Sequence, residues 1–400
     1  MTSVWALAAL WLGLALVATL LAIWLRISTA LSEIVVGTVA QLVIGAFIGI
    51  QALGARAPWI TFLSGTGAIV LTFLAGAELD PVVFRAKWKE ASWLGLMAFV
   101  SPFLGCTAVA YYVLHWSARA SWIAGIALST TSVAVVYAVM LEFGLNQTEF
   151  GKTLLAACFI NDLGTVLALG FIFAPFTIRT LVFAVSAVVL FAVLPWLTTH
   201  FFRKYGGRVS ELEAKYLLFL LFGLGALATW ADSEAVLPAY IVGMVLAGTV
   251  GKDHVLIRRL RTMTFGLLTP FYFIRAGSFV SIPALLAAPL VVLALLLGKM
   301  ATKIAAVLPT ARKIGYARQE SLYTTMMMST GLTFGTISAL FGLSHGVIDE
   351  RQYSYLVATV IGSAVIPTMI GNAWFLPRHL IPAHREPAEA VAEGTPAAAK

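Results

Sequence analysis

Charged residues are scarce in this sequence, and their scarcity excludes a water-soluble fold. Asp, Glu, Lys and Arg make up 11% of the 400 residues, whereas 60% of the residues are apolar. Soluble domains carry about 25% charged residues. A membrane crossing takes about 20 mostly apolar residues, so thirteen crossings would occupy nearly the whole chain. The sequence therefore predicts an all-α integral membrane protein without room for a separate catalytic domain.

Cysteine and histidine are also few, which narrows the chemistry that the chain can support. The two cysteines, Cys106 and Cys158, both lie in apolar runs and are expected to be buried thiols. The six histidines all fall in predicted loops or at the ends of spans. We therefore expect no histidine-based metal site or catalytic centre in the middle of the membrane.

The apolar runs and the basic residues together predict the topology. Charged or turn-rich breaks divide the chain into thirteen spans, near residues 4–25, 32–53, 58–77, 91–114, 120–142, 153–174, 180–202, 214–231, 235–250, 264–280, 283–302, 320–343 and 353–376. With the amino terminus outside, 20 of the 26 Lys and Arg residues fall on the cytoplasmic side, Lys303 among them, and four fall outside. A missed span would move every later loop to the opposite side of the membrane and remove this asymmetry. The distribution of basic residues therefore favours thirteen spans and a cytoplasmic carboxyl terminus.

The same topology accounts for the formal charge of +8, and we expect no nucleic-acid partner. The first span is expected to be a retained helix rather than a cleaved signal peptide. Residues 377–400 are rich in Pro, Ala and Glu, which predicts a disordered cytoplasmic tail. No Gly-rich nucleotide fingerprint follows the last span, and we expect no cofactor.

Two segments resemble each other and predict an inverted repeat. Residues 128–145 (LSTTSVAVVYAVMLEFGL) and 328–343 (MSTGLTFGTISALFGL) both begin near a Ser-Thr pair and end in Phe-Gly-Leu. They belong to spans 5 and 12, so an odd number of crossings separates them and they enter the membrane in opposite directions, as repeats of secondary transporters do. Both carry hydroxyl and Gly clusters in mid-span, namely Thr130, Thr131 and Ser132, and Ser329, Thr330 and Gly331. Such clusters can support a broken helix, although close packing of small residues is the alternative.

Asp162 is the strongest functional signal in the sequence. It lies about halfway along the sixth span, next to Asn161, where an ionised carboxylate costs about 2.5–3.5 kcal/mol. Lys299 lies deep in span 11, and Arg275 lies near the outer end of span 10, where we expect it to be a structural charge that pairs with Glu78 or another acid. Intramembrane charge indicates an ion or proton pathway, and a structural Asp162–Lys299 pair is the alternative.

These residues predict the chemistry of an antiporter. Burial and a nearby ammonium group act in opposite directions on the proton affinity of a carboxyl group, so Asp162 could be tuned near cytoplasmic pH. An alkali cation takes oxygen ligands, and we expect Asp162, Asn161, Thr131 and Ser132 to supply them. If only the loaded forms of such a site cross the membrane, a cation and a proton are exchanged.

Five motifs carry a family resemblance: LTFLAGAELDP (71–81), IALSTTSVAV (126–135), ACFIND (157–162), FYFIRAGSFVSIP (271–283) and GKMATK (298–303). Together they resemble the monovalent cation:proton antiporters, which include the sodium/proton exchangers and the glutathione-gated potassium-efflux systems. The resemblance covers nearly all of the spans and implies exchange of Na⁺ or K⁺ for H⁺ in pH homeostasis.

The resemblance also implies an architecture and a site. A core, spans 91–174 and 283–376 with two broken and crossing helices, would move like an elevator against a scaffold, spans 1–77 and 180–280. The protein would be a homodimer in the lipid of a bacterial inner membrane. Asp162 would bind the ion, with Thr131 and Ser132 on the first broken helix and Lys299 facing the site.

The chain departs from the family pattern in ways that leave the stoichiometry open. Many electrogenic members carry two adjacent aspartates where this chain has Asn161 and Asp162, and electroneutral members with Asn-Asp usually have Glu where this chain has Ala157. One exchangeable carboxylate favours one cation for one proton, but a proton released from Lys299 would make transport electrogenic. Arg275 is also unusual for the family.

Three other functions are compatible with a membrane protein of this kind. A passive channel or a non-transporting sensor could be built on the same fold. An intramembrane hydrolase would need a nucleophile with a base, or paired carboxylates, at one depth. The sequence offers one deep Asp and no deep His, so the hydrolase is the weakest alternative.

Overall fold

The chain folds into helices that are joined by short segments. The computed structural model describes residues 4–25, 29–47, 53–77, 81–173, 177–207, 211–231 and 236–381, and no strand occurs among them. The helices are α1 (Val4–Leu25), α2 (Thr29–Phe47), α3 (Pro58–Ala77), α4 (Pro81–Ala86), α5 (Trp88–Ala108), α6 (Ala118–Ser129), α7 (Val133–Glu142), α8 (Glu149–Phe173), α9 (Ile178–Tyr205), α10 (Leu212–Trp230), α11 (Val236–Leu246), α12 (His254–Met263), α13 (Thr269–Ser278), α14 (Ile282–Ala287), α15 (Pro289–Lys313), α16 (Arg318–Met328), α17 (Thr333–Ser344) and α18 (Glu350–Ile370). π-helical turns follow α5 and α18 and precede α13.

The helices confirm the predicted fold class. Within the described residues, ten helical runs are long and apolar enough to cross a membrane, counting the run that joins α16 and α17 across a break. The pair α6 and α7, the helix α11, and α13 with its preceding π-helical turn correspond to the other three predicted spans. The chain is therefore an all-α integral membrane protein, and helical segments match each of the thirteen spans.

Most buried hydroxyl groups inside the spans are satisfied by their own helix. The hydroxyl of Thr72 donates to the carbonyl of Ala68 at 2.6 Å, and that of Thr359 donates to the carbonyl of Tyr355 at 2.8 Å. A helix in an apolar environment must satisfy its polar groups internally, and this bond to the carbonyl four residues earlier does so.

Among the described residues, four apolar clusters organise the helices. The largest joins α5–α8 to α15–α18 and includes residues of α2, α3, α11 and α13, a second joins α3 to α9–α12, a third joins α1, α3 and α13, and a small fourth joins α9 and α10. Helix α11 contributes to two of them, because Tyr240 belongs to the first and Val242 and Leu246 belong to the second. Helix α11 therefore connects the largest cluster to the second.

Two glycines set a close approach between α2 and α13. A Cβ atom added to Gly277 would overlap the carbonyl of Ile34, and one added to Gly37 would overlap the carbonyl of Ile274. Small residues of this kind let two helix backbones come together inside a membrane. The contact holds α13, which carries Arg275, against the helix that follows the first span.

Two helices are broken in mid-membrane at the positions that the sequence predicts. Residues 130–132 separate α6 from α7, and residues 329–332 separate α16 from α17. The backbone N–H of Ser132 donates to the carbonyl of Thr330 at 3.1 Å, so the two unwound segments touch. The prediction of two broken and crossing helices is confirmed.

The broken helices run in opposite directions. Gly335, early in α17, lies against the carbonyl of Ala127, whereas Gly342, late in α17, lies against Ile123. Residue numbers thus rise along α17 as they fall along α6. This antiparallel packing is the arrangement expected of an inverted repeat.

Helix α15 differs from its predicted span. It begins at Pro289 and ends at Lys313, whereas the sequence predicts residues 283–302. Lys303 is fully buried, so its prediction as a residue of a cytoplasmic loop was wrong, and the predicted cytoplasmic set falls from 20 to 19 basic residues. The helix continues past this charge because buried residues recur at every fourth position along one face, and both lysines lie on it: Leu295, Lys299, Lys303, Val307 and Ala311.

The predicted tail begins with residues that pack on the helices. Nε2 of His379 lies 2.9 Å from Oε1 of Glu320 in the first turn of α16, and Nε2 of Gln319 donates to the carbonyl of Leu376 at 2.9 Å. Residues 378–380 form a short 3₁₀ turn. The rest of the predicted tail, residues 382–400, lies outside the described residues.

Candidate ion-binding site

Asp162 lies in the interior of the molecule, at the middle of α8. The residue is 1% exposed, and its Oδ1 atom has no hydrogen-bond partner in the described part of the chain. A buried carboxylate oxygen without a partner is costly to desolvate. Asp162 therefore presents an oxygen to which a proton or a cation can bind.

Asn161 connects α8 to the first break. Its Oδ1 accepts a hydrogen bond from the backbone N–H of Thr131 at 2.8 Å, and its Nδ2 donates to the carbonyl of Ser129 at 3.1 Å. Both backbone groups lack the hydrogen-bond partner that a continuous helix would provide, because the helix is interrupted here. The Asn161 amide thus holds the break open as well as lying next to Asp162, and its role as a cation ligand stays a prediction.

Removing this amide should destabilise the break. In Asn161→Ala the backbone N–H of Thr131 and the carbonyl of Ser129 lose their partner in a buried place, which we expect to lower the free energy of unfolding by about 2–4 kcal/mol. The loss is measured as a lower melting temperature in detergent. Asn372→Ala is the control, because Asn372 accepts only a 3.4 Å bond from Tyr323; an equal loss in both variants would contradict the role of Asn161.

The first break contributes three polar residues near Asp162. The Thr131 hydroxyl donates to the carbonyl of Met328 at 2.7 Å, which links the two broken helices. The Ser132 hydroxyl accepts a 3.4 Å bond from the N–H of Val135 and so caps the start of α7. The Thr130 hydroxyl donates back to the carbonyl of Ala127 at 3.0 Å. These bonds support the break, and ligation by Thr131 or Ser132 would add to them.

The second break is supported in the same way. The hydroxyl of Ser329 donates to the carbonyl of Thr325 at 2.7 Å, and that of Thr330 donates to the carbonyl of Met327 at 2.8 Å. Gly331 leaves room for Lys299, because a Cβ atom at this position would overlap the Lys299 ammonium group. The sequence-predicted residues of both breaks therefore lie together.

Two lysines of α15 reach the breaks, and both are fully buried. Nζ of Lys299 donates to the carbonyl of Thr130 at 3.3 Å and to the hydroxyl of Ser363 at 3.0 Å. Nζ of Lys303 donates to the hydroxyl of Thr131 at 2.9 Å and lies within electrostatic range of the Asp162 carboxyl group. The carboxyl group therefore has a basic neighbour in Lys303.

The ends of the half-helices add partial charges to the site. Both α6 and α16 end at the crossing, and the last carbonyl groups of a helix carry a partial negative charge. The side-chain nitrogens of Lys299 and Lys303 lie beside these ends, where they donate to the carbonyl of Thr130 and to the hydroxyl of Thr131. The helices α7 and α17 begin at the same place with their partly positive ends. Such a crossing can hold a charged group in mid-membrane.

Tyr240 of α11 contacts the helices that build the site. Its hydroxyl donates to the carbonyl of Phe159 in α8 at 3.0 Å, and its ring meets that of Phe334 in α17 edge to face at 5.5 Å. Tyr240 also lies within electrostatic range of Asp162. One side chain of α11 thus touches the helix that carries Asp162 and one half of a broken helix.

Arg275 lies away from the breaks and contacts the chain before α3. Its Nε donates to the carbonyl of Ala55 at 2.8 Å, and its guanidinium group lies 5.2 Å from the ring centre of Phe279. Glu78, its predicted partner, follows the end of α3 and lies outside the described residues. These contacts join α13 to the segment that precedes α3.

Lys303 and Tyr240 are not among the site residues that the sequence predicts. The GKMATK motif contains the signal for Lys303, because residues four apart lie on one helix face and the resemblance implies that Lys299 faces the site. Nothing in the sequence marks Tyr240, since an apolar span that carries one Tyr is common. No group of three or more His, Cys, Asp and Glu residues that could hold a metal occurs in the described ranges, so a cation here would depend on one carboxylate and neutral oxygens.

Comparisons with known proteins agree with this arrangement. The family model of the transmembrane sodium/hydrogen exchangers matches residues 12–375. A probable Na⁺/H⁺ antiporter of Methanocaldococcus jannaschii is 24% identical over 329 residues, which cover 78% of this chain and 83% of the relative. The glutathione-regulated potassium-efflux system protein KefC of Shigella flexneri is 25% identical over 352 residues; these cover 82% of this chain and 55% of that longer relative.

A solved structure shows the same fold. The sodium proton antiporter MjNhaP1 from Methanocaldococcus jannaschii superposes with a TM-score of 0.67 at 14% identity, over 92% of this chain and 95% of that chain. The family model spans both broken helices and α8, the elements that build the site. The chain therefore belongs to the transmembrane sodium/hydrogen exchanger family, among the monovalent cation:proton antiporters.

Proposed function

We propose that this chain exchanges Na⁺ or K⁺ for protons across the membrane, and that cation and proton compete for Asp162. One observation carries the proposal: a fully buried carboxylate with an unpartnered oxygen lies where two broken helices cross. The relatives named as Na⁺/H⁺ antiporter and potassium-efflux protein support the same class of substrates.

Competition follows from the charge of the site. An ionised carboxylate in mid-membrane is unfavourable, and either a proton or an alkali cation neutralises it. The two ligands need the same oxygen, so binding of one excludes the other. If the core moves only when this charge is neutralised, each passage of a cation in one direction is matched by passage of a proton in the other.

We propose that the core, residues 91–174 and 283–376, moves against the scaffold, residues 1–77 and 180–280. The apolar clusters support this division, since the second and third lie wholly within the scaffold, while the first is formed mostly by α5–α8 and α15–α18, with contributions from α2, α3, α11 and α13. The site lies entirely within the core apart from the contact of Tyr240. Movement of the core as a body would therefore carry Asp162 and both breaks together.

The chain is proposed to lie in a bacterial inner membrane as a homodimer surrounded by lipid, with its amino terminus outside and its carboxyl terminus in the cytoplasm. The basic residues of the cytoplasmic loops support this orientation. Large apolar side chains of α1 and α9, such as Trp24 and Trp196, are exposed and suit contact with lipid or a second subunit.

An assay of proton movement tests the proposed function. Purified protein is reconstituted into vesicles that contain a pH-sensitive dye, and Na⁺, K⁺ or Li⁺ is added in turn. We expect proton movement that depends on the added cation and saturates with it. A hydrolase or a sensor would give none, and a channel would carry cations without countertransport of protons. Imposing a membrane potential then distinguishes electroneutral from electrogenic exchange.

A further inference from the structure

Two buried hydroxyl groups of the second broken helix differ from the others in their hydrogen bonding. Thr324 in α16 and Ser338 in α17 are 0% and 1% exposed, yet Oγ1 of Thr324 and Oγ of Ser338 have no hydrogen-bond partner in the part of the chain that the structure describes. A buried hydroxyl left unsatisfied costs about 1–3 kcal/mol. Their positions therefore need an explanation other than packing.

Neighbouring hydroxyls on the same broken helix show the usual behaviour. Thr325 donates to the carbonyl of Ser321 at 2.7 Å, and Thr336 donates to the carbonyl of Leu332 at 2.8 Å. Thr324 and Ser338 have the same kind of helical carbonyl four residues earlier but do not bond to it. Their oxygens remain available to a ligand.

Thr324 lies on the face of α16 that points toward α8. It is four residues before Met328, so the two side chains share one face, and the sulfur of Met328 lies 3.7 Å from the thiol of Cys158. Cys158 in turn lies four residues before Asp162 on α8. The Thr324 hydroxyl is thus about one helical turn from the break, on the side from which α16 enters the membrane.

Ser338 lies on the corresponding face of α17. It is four residues after Phe334, whose ring contacts Tyr240 beside the site. It is three residues before Phe341, whose ring lies 5.7 Å from that of Phe173 at the end of α8. Ser338 therefore lies between Asp162 and the opposite surface of the membrane from Thr324.

We propose that Thr324 and Ser338 are the oxygen ligands that an alkali cation meets before and after Asp162, one on each side of the crossing. This inference rests on the proposed function. A monovalent cation that enters an apolar interior must replace its hydration shell with protein oxygens or keep part of it. A free hydroxyl between one and two helical turns from the breaks can bind the cation directly or through a retained water.

Under the proposed orientation, Thr324 lies between Asp162 and the cytoplasmic surface, and Ser338 lies between Asp162 and the external surface. The helix α16 begins on the cytoplasmic side and α17 ends outside, so each hydroxyl lies in the half of the membrane that its helix crosses. Each residue should affect the concentration dependence of the cation on its own side. Neither is placed to exchange a proton, since a hydroxyl does not titrate in the physiological range.

The test is the half-saturating Na⁺ concentration, measured separately from the two sides in vesicles of known orientation. Thr324→Val keeps the shape of the side chain and removes the hydroxyl, and we expect roughly a three- to tenfold rise on the cytoplasmic side, the size of one lost hydrogen bond. Ser338→Ala should give a similar rise on the external side. The melting temperature in detergent should stay unchanged or increase, since an unsatisfied polar group has been removed.

Matched variants separate a ligand from a packing residue. Thr325→Val changes a neighbour whose hydroxyl serves only its own helix, and its exchange kinetics should equal those of the wild type. Thr324→Ser keeps a hydroxyl and should retain the wild-type half-saturating concentration. Thr324→Ala removes the hydroxyl in a smaller side chain and should reproduce the rise, even if the Val variant folds poorly.

Two outcomes would overturn the inference. One is a wild-type concentration dependence on both sides in Thr324→Val and Ser338→Ala; the other is a Thr324→Ser variant as impaired as Thr324→Val. In either case cation-dependent proton movement by the wild type would still support the proposed function. If the wild type itself moves no protons in response to cations, the proposed function fails first.

Discussion

Asp162→Asn is expected to abolish cation-dependent proton movement. Loss of a buried charged partner costs about 3–5 kcal/mol, which corresponds to a factor of at least roughly 100. The amide cannot release a proton, and it cannot balance the charge of a cation in the interior. The dye assay in vesicles measures the loss, and the variant should fold, because Asn has nearly the size of Asp and the replaced Oδ1 makes no hydrogen bond within the described residues.

The matched control for this variant is Asp349→Asn. Asp349 caps α18, where its Oδ1 accepts the N–H of Gln352 at 2.7 Å, and Asn is an equally good residue at a helix start. Exchange by this variant should equal that of the wild type. Activity that persists in Asp162→Asn would remove Asp162 from the transport cycle and with it the proposed competition.

Lys303→Gln is expected to have the second largest effect. The substitution removes the cationic neighbour of Asp162 and the charged bond to Thr131, and hydrogen bonds of charged groups contribute about 1.5–3 kcal/mol. We therefore expect the exchange rate to fall by about 10- to 150-fold. Lower thermal stability should accompany the loss, because Thr131 also links the two broken helices.

Lys299→Gln provides the comparison. Lys299 donates to two neutral groups, the carbonyl of Thr130 and the hydroxyl of Ser363, whereas Lys303 lies within electrostatic range of the Asp162 carboxyl group. A milder loss is therefore expected than for Lys303→Gln. The opposite order would make Lys299 the lysine that faces the ion, as the family resemblance implies, and would contradict the assignment of Lys303.

The fold was largely predictable from the sequence because membrane crossing constrains composition strongly. Thirteen spans follow from apolar runs and from the placement of basic residues, and the two breaks follow from hydroxyl and Gly clusters in equivalent positions. The error at Lys303 has a physical cause: a charged residue usually ends a span, but here a buried hydroxyl of the facing helix binds the ammonium group. The sequence pattern of one helix does not show which hydrogen-bond acceptors the facing helix presents to it.

The residues of the site could be predicted from the sequence, but the hydrogen bonds between them could not. Asp162 and the breaks could be identified because a mid-membrane charge or a run of hydroxyls has few structural explanations. The sequence does not show that Asn161 bonds both sides of the first break, since that requires knowing which carbonyl and N–H lie next to it. Tyr240 and the free hydroxyls of Thr324 and Ser338 likewise become visible only when α8, α11 and the second broken helix are assembled.

The bonding of Asn161 restricts what evolution can place beside Asp162. A carboxylate at position 161 would accept the N–H of Thr131 but could not donate to the carbonyl of Ser129, which now takes the amide hydrogen at 3.1 Å. A homologue with two adjacent acids must therefore satisfy that carbonyl from another source, such as a lysine or a bound water. Under the proposed exchange, a second acid beside Asp162 would therefore change the charge of the site and the capping of the interrupted helix together.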